Sequence, residues 1–227
     1  MQRNITFDLI EHARAQPSAP ALLLPCRTIS YRELDGLVWR YAHRLHGLGV
    51  RPGQVVGITF SEELGLVLTL LALGRLGATS CSIPRSASAM QRRQLAARAE
   101  LSWLASDQPE RYDAGLSGLR LTRQAIEAMA ISEDRDLLVE RPEAPWLLIS
   151  GSGSTGSPKL IPLTHGQARA RATLGASCLQ LTPADRVAAL SQLDFAHSKY
   201  RLLEALSAGA AYALGAWRGG GDRESVV

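Results

Sequence analysis

Residues 150–165 read SGSGSTGSPKLIPLTH, and the nine from Gly151 to Lys159 hold three glycines, four Ser/Thr hydroxyls and one lysine. A stretch of that composition has nothing to bury. It can present backbone N–H groups, hydroxyls and one cation to a polyanion. Glycine lets the backbone approach a ligand closely and adopt φ > 0, and successive free N–H groups make an anion-binding concavity. Phosphate is the ligand that chemistry suits. The apolar run WLLIS, residues 146–150, leads straight into the stretch.

Three loop types and one ligand-free alternative compete for these residues. A Walker A loop needs G-x-x-x-x-G-K-[ST] opening a helix. Gly151 and Gly156 have that spacing, but Ser157 and Pro158 stand where the Lys and Ser/Thr belong. A Rossmann G-x-G-x-x-G is present in letters at Gly151, Gly153 and Gly156. It too must open a helix, with an acid closing the next strand. Here the apolar residues Leu160–Leu163 come next, with Pro162 among them, which predicts a strand. A Ser/Gly turn without a ligand explains the glycines. It gives no reason for Pro158-Lys159 or for Thr164-His165 downstream.

The surrounding sequence alternates helical and strand patterns. A short helix is expected over 6–15 with Thr6 as its N-cap, then a hairpin from ALLL (21–24) and TIS (28–30). Ser30 and Glu33 have capping-box spacing, ahead of a helix that Gly47 and Gly49 end. QVVGITF (54–60) reads as a strand, then a helix capped by Ser61 runs to about Leu76. TSCSI (79–83) and LSWLA (101–105) read as strands around a helix near 88–99. A helix near 122–130 and a loop over 132–145 precede WLLIS. After the Gly-rich stretch come a strand (160–163), a helix from Thr164 to about Leu179, a strand (186–190), a helix (199–208) and a strand (211–214). Repeated strand–helix–strand predicts an α/β fold, a mainly parallel sheet or sheets flanked by helices. The last residues, 216–227, turn to Gly and charge and are expected to be a disordered tail.

Composition narrows the partners. The chain has 227 residues, 46% hydrophobic and 20% charged, with a formal net charge of +4. Of 25 Lys+Arg two are lysines, Lys159 and Lys199, so 23 are arginines. They are spread along the chain, and aromatic residues reach only 5%, which argues against a nucleic-acid face. Arg92, Arg93 and Arg98 are read as the wet face of a helix. Three scattered cysteines without a CxxC pair give no zinc site, and no metal ligands are assigned. They are expected as buried thiols in a reducing compartment. The apolar stretch 64–73 is too short for a bilayer, and residues 1–17 have no secretory pattern. A cytoplasmic protein without membrane contact is expected.

The string through Ser152, Gly153, Ser154, Thr155, Gly156, Pro158 and Lys159, continuing to Thr164-His165, resembles the phosphate-binding signature of the adenylate-forming (AMP-binding) superfamily. That family includes acyl- and aryl-CoA ligases and the adenylation domains of nonribosomal peptide synthetases. TISYREL (28–34), LALGRLGATSCSIP (71–84) and DFAHSKYRLLEALSAGAAYAL (194–214) resemble further family segments in the right order. The resemblance implies that residues 1–215 are the incomplete N-terminal portion of a ligase's large domain. It implies ATP and Mg²⁺ as cofactors, and a two-step reaction. A carboxylic acid becomes acyl-AMP with loss of pyrophosphate, and the thiol of coenzyme A or of a carrier protein then takes the acyl group. Carried over residue by residue, Ser152, Ser154 and Thr155 donate hydroxyls, Gly153 and Gly156 offer backbone, and Lys159 supplies charge.

Departures from the family pattern sharpen this. PKLIPLTH, with Leu160 in place of glycine, resembles the aryl-acid-activating branch. His197 and Ser198 fall in the substrate segment. Amino-acid-activating members have Asp at the position aligned with Ser198, which implies an acid without an α-amino group. Lys199 is expected at the surface. The adenine, ribose and hinge segments and the catalytic lysine find no match, so no complete catalytic set is expected and the chain is expected to be inactive alone. Two alternatives are a truncated, non-catalytic homologue serving as a phosphate-binding or interaction module, and an unrelated phosphate-binding module. The second requires a helix directly after Lys159.

Overall fold

A computed structural model describes residues 3–129, 136–151 and 159–215. The chain divides into two compact units, one formed by Met1–Phe7 with Gly36–Arg169 and the other by Asp8–Asp35 with Ala170–Val227. The expected tail, 216–227, lies outside the described residues.

The first unit is built on a six-stranded sheet. Its strands are β3 (Val55–Ile58), β4 (Thr79–Ser82), β5 (Trp103–Ser106), β6 (Gly118–Arg120), β7 (Pro145–Gly151) and β8 (Lys159–Thr164), in the order β6-β5-β3-β4-β7-β8. All neighbours run parallel except β7 and β8. Every residue of the inner strand β4 is buried, as expected of a parallel strand covered on both faces. Ser80 meets that burial by donating its hydroxyl to the Trp146 carbonyl at 2.9 Å. After the helices α1 (Phe7–Ala15) and α2 (Tyr31–Gly47) comes α3 (Glu63–Arg75), which packs on β3 and β4. It is apolar around its whole circumference, with Leu64 to Arg75 all buried, the pattern of an interior helix. Arg75, at its end, places its guanidinium 4.5 Å from the Trp39 ring centroid. Gly74 is required there, because a Cβ would come within 2.8 Å of Ile5 and 3.1 Å of the Trp146 indole nitrogen.

The second unit holds a four-stranded sheet, β2-β1-β10-β9. β1 (Pro20–Leu24) and β2 (Arg27–Ser30) form the expected antiparallel hairpin, and β10 (Ala211–Ala213) joins β1 and β9 (Arg186–Ala188) in parallel. α7 (Ala196–Ala208) packs on β9 and β10. It ends at Gly209, whose φ of 73° is the left-handed cap conformation glycine favours. Tyr31, fully buried, donates its hydroxyl to the Ala210 carbonyl at 2.8 Å.

Several sequence expectations need correction. Ser61 does not cap α3. Glu62 holds that position, and Ser61 turns to Asp107 instead. The helix near 122–130 shortens to α5, Arg123–Glu127, and β6 had no recognisable signal in its three residues. α7 starts at Ala196, ahead of the 199 that its apolar repeat indicates. Cys26 and Cys178 are exposed and only Cys81 is buried. α4 (Ala89–Arg98) has the wet face expected of it: Arg93 pairs with Asp113 at 2.7 Å, and Ser88 and Gln91 close a capping box.

Candidate functional site

The hairpin of β7 and β8 carries the Gly-rich stretch. Gly151 pairs across the ladder with Lys159, Leu148 with Pro162 and Pro145 with Thr164. The two ends of the stretch are therefore one strand spacing apart, roughly 5 Å. Ser152, Gly153, Ser154, Thr155, Gly156 and Pro158 lie outside the described residues, while Lys159 opens β8 with its side chain exposed. The chain continues from Lys159 as a strand, so the helix demanded by the Walker, Rossmann and unrelated-module readings does not form. Pro162 explains this locally. It cannot continue a ladder in a sheet interior but is tolerated on an edge strand, and β8 is an edge among the described strands.

Thr164 and His165 sit at the other end of the same hairpin. Five strand steps of about 3.4 Å put Thr164 about 17 Å from Lys159. Their contacts are structural. Thr164 caps α6 (His165–Cys178): its hydroxyl accepts from the Gln167 N–H at 3.2 Å, and the Gln167 side chain accepts from the Thr164 N–H at 3.1 Å. The His165 side chain is 1% exposed, and its Nδ1 accepts from the Ile5 N–H at 3.3 Å. That bond assigns the proton to Nε2, which has no partner among the described residues. Burial lowers the His165 pKa to about 4, with Glu143 opposing the shift, so the ring is neutral at pH 7. Beside it Asn4, fully buried, donates to the Gly74 and Val139 carbonyls at 2.8 Å each.

The Gly151–Lys159 end of the hairpin lies at the carboxyl ends of the parallel strands, where open α/β sheets bind ligands. The segments after β3, β4 and β5 meet at that same edge. The Ser61 N–H donates to both Asp107 carboxylate oxygens, at 3.0 and 3.2 Å, and its hydroxyl also donates to Asp107. Arg85, exposed just beyond β4, donates to the Ser61 carbonyl at 3.0 Å. Sequence reasoning read Ser61 as a helix cap and did not single out Arg85 or Asp107. They are far apart in sequence, and only the strand order brings them together. An apolar cavity of about 190 Å³, lined by Val55, Thr79, Pro145 and Leu148 among others, opens at the opposite, amino ends of the strands.

In the second unit, the first turn of α7 holds the predicted substrate residues. His197 is exposed and Ser198 is fully buried. The Ser198 hydroxyl donates to the Ser191 carbonyl at 2.7 Å and lies 2.6 Å from the Ser191 hydroxyl. Lys199, expected at the surface, is 1% exposed and donates from Nζ to the Asp194 carbonyl at 2.8 Å. Sequence reasoning treated its charge as decisive, whereas its place in the buried repeat of α7 prevails.

Among the described residues no helix is long and apolar enough to cross a membrane, and no group of three or more His, Cys, Asp or Glu residues could hold a metal ion.

Comparison with known proteins agrees with this architecture. The profile of the family described as AMP-binding enzyme matches residues 9–217. Pyochelin synthetase PchE of Pseudomonas aeruginosa is 31% identical over 216 residues, covering 93% of this chain and 14% of the synthetase. Nonribosomal peptide synthetase fmqA of Aspergillus fumigatus is 29% identical over 196 residues, covering 84% of this chain and 5% of that protein. The Klebsiella oxytoca NpsA N-terminal subdomain, solved with 3-hydroxybenzoyl-AMSN, superposes with a TM-score of 0.81 at 24% identity, covering 94% of this chain and 54% of that one. The Bacillus subtilis O-succinylbenzoate coenzyme A synthetase MenE, solved with AMP, gives 0.80 at 21% identity, with 91% and 54% covered. The chain thus spans about half of these solved structures and a small fraction of the synthetases. With the family profile matched over 209 of its 227 residues, the chain belongs to the adenylate-forming (AMP-binding) superfamily and corresponds to the N-terminal part of its domain.

Proposed function

We propose that this chain is the N-terminal part of an ATP-dependent ligase that activates an aryl or simple acyl acid. The observation that carries the reading is the β7–β8 hairpin. It pairs Gly151 with Lys159 at the carboxyl edge of the sheet and runs on as a strand. In the proposed reaction a carboxylate oxygen attacks the α-phosphorus of ATP. The bond to pyrophosphate breaks and an acyl-AMP anhydride forms. A carrier-protein or coenzyme A thiol, as thiolate, then attacks the acyl carbon and AMP leaves. Carrier protein is favoured, because relatives of this chain include peptide synthetases.

The leaving pyrophosphate gathers negative charge, and fixed donors aimed at it lower the barrier. Ser152, Ser154 and Thr155, the backbone of Gly153 and Gly156, and Lys159 fit that task. This donor set suits an anion, so Mg²⁺ would arrive on the triphosphate, where it offsets phosphate charge. In the second unit, the hydroxyl of Ser198 is neutral and already shared with Ser191. It offers nothing to balance a substrate ammonium, which favours an acid without an α-amino group. His197, exposed beside it, is the side chain positioned to meet the acid.

ATP–pyrophosphate exchange by the full-length gene product, over a panel of aryl, acyl and α-amino acids, tests this. Exchange with an aryl or acyl acid is expected, and preference for an α-amino acid would overturn the acid assignment. The 227 residues alone are expected to give no exchange. A full-length product that binds pyrophosphate but exchanges with no acid would be a phosphate-binding module instead.

A further inference from the structure

The β7–β8 hairpin hangs on β4, whose residues are unusual for an inner strand. A parallel strand covered on both faces is ordinarily a run of Val, Ile and Leu. β4 reads Thr79-Ser80-Cys81-Ser82, with every residue buried. A buried hydroxyl is costly unless it is bonded. Two of these three are bonded, and both to β7. Thr79 donates to the Pro145 carbonyl and Ser80 to the Trp146 carbonyl, each at 2.9 Å. Successive residues of a strand face opposite sides of the sheet, so the two hydroxyls hold the foot of β7 from both faces. Ser82 lies on the same face as Ser80, one step past the last β4–β7 pair, and its buried hydroxyl has no partner among the described residues.

The join that these hydroxyls reinforce is short. Among the described residues β4 pairs with β7 at Ser80↔Leu147 and Cys81↔Leu148, whereas β7 stays paired with β8 as far as Gly151 and Lys159. β8 is an edge among the described strands, so the hairpin joins the rest of the sheet through β4. Gly151 and its partner Lys159 stand four residues past Leu147, about 14 Å along the strand. At that reach a tilt of about 4° at the foot moves the far end by about 1 Å, a displacement that matters to a group meeting a reacting ligand. We infer that Thr79 and Ser80 are positioning residues: their hydroxyls clasp the foot of β7 and so fix where Gly151 and Lys159 stand at the carboxyl edge of the sheet. Both act through β7 and touch no ligand.

The effect on catalysis rests on the acid-activation reading, while the clasp itself is testable on this chain. Thr79→Val and Ser80→Ala each remove one hydroxyl, so either reads the clasp if the other fails to fold. Thr79→Ser and Ser80→Thr keep a donor in place. Hydrogen exchange of the amides at 149–151 and 159–161 is expected to rise about tenfold in the two removals, with the β3 amides unchanged. The variants that keep a hydroxyl are expected to stay within about twofold of the parent. Ser82→Ala removes a hydroxyl without a described partner and is expected to change nothing. In the full-length enzyme Thr79→Val and Ser80→Ala are expected to lower kcat/KM for ATP about tenfold with KM for the acid unchanged. Lost stability alone would reduce the amount of active enzyme and leave kcat/KM per active site as it was. Unchanged amide exchange in both removals overturns the clasp, and so does an equal rise in Ser82→Ala. Raised exchange with an unchanged kcat/KM for ATP overturns the positioning role. A full-length product that activates no acid refutes the acid-activation reading, and the amide exchange then decides the clasp by itself.

Discussion

At one end of the β7–β8 hairpin Lys159 stands exposed opposite Gly151. At the other end Thr164 and His165 are drawn into caps and buried bonds, and Asn4 beside them is sealed from water. Residues 151 to 165 read as a single motif, yet Lys159 and His165 lie a strand's length apart and do different work. Lys159 is exposed at its end of the hairpin, and the foot consumes its polar groups in holding the unit together. A long motif is thus no proof of one site. Burial and partners separate the residues left open to solvent from those that hold the element in place.

The largest effect that could break this contrast is on activity at the tip. Lys159→Ala in the full-length enzyme is expected to lower pyrophosphate exchange by roughly 10²–10³-fold, as for loss of one fixed donor to developing charge, with an unchanged urea midpoint. A matching loss of stability would make the tip structural and erase the distinction.

The foot is expected to show the converse in its pH response. The His165 pKa is held at about 4, below the usual 6.5, by burial. As pH falls the unfolded chain takes up the proton first. The His165 contribution is therefore complete above about pH 6.5 and is lost progressively on going down to about pH 4, a total change of about 3 kcal/mol. Urea unfolding across that range should show the slope, and His165→Gln should flatten it. A wild-type profile that stays flat would mean that the imidazole is not sealed.

The smallest effect is at the cap. Thr164→Ala is expected to cost about 1 kcal/mol while leaving ATP affinity in the full-length enzyme unchanged. A change in affinity would return Thr164 to the ligand site.

Where periodicity is strong the sequence was readable. WLLIS, the buried repeat of α3 and the 21–30 hairpin all formed as expected, because each is dictated by local pattern and burial together. Pro162 in an apolar run correctly announced a strand after Lys159. Long-range contacts were not readable. Ser61 looked like an N-cap because its spacing before α3 is right, but Asp107, brought near by the β3–β5 pairing, is the stronger partner. Lys199 looked like a surface residue by type, and the repeat that buries α7 against β9 and β10 outweighed that. His165 carried no sign of its partner, since Ile5 is 160 residues away. The segment 194–214 was recognisable as a unit, but which of its side chains face inward depends on the exact start of α7.

Pro162 has a further effect, on self-association. β8 borders the six-stranded sheet, and its outward row of N–H and C=O groups is a template for another chain. Ile161, 55% exposed on that strand, would add an apolar incentive. A proline in mid-strand interrupts the row by one donor, and the charge of Lys159 guards the end, so a second copy finds no continuous register to extend. The residue that keeps a helix from starting after the Gly-rich stretch also breaks up the exposed edge of the sheet. Pro162→Val should accordingly leave the monomer's stability nearly intact while raising light scattering on storage, and equal scattering from both proteins would show that the edge is protected by something else.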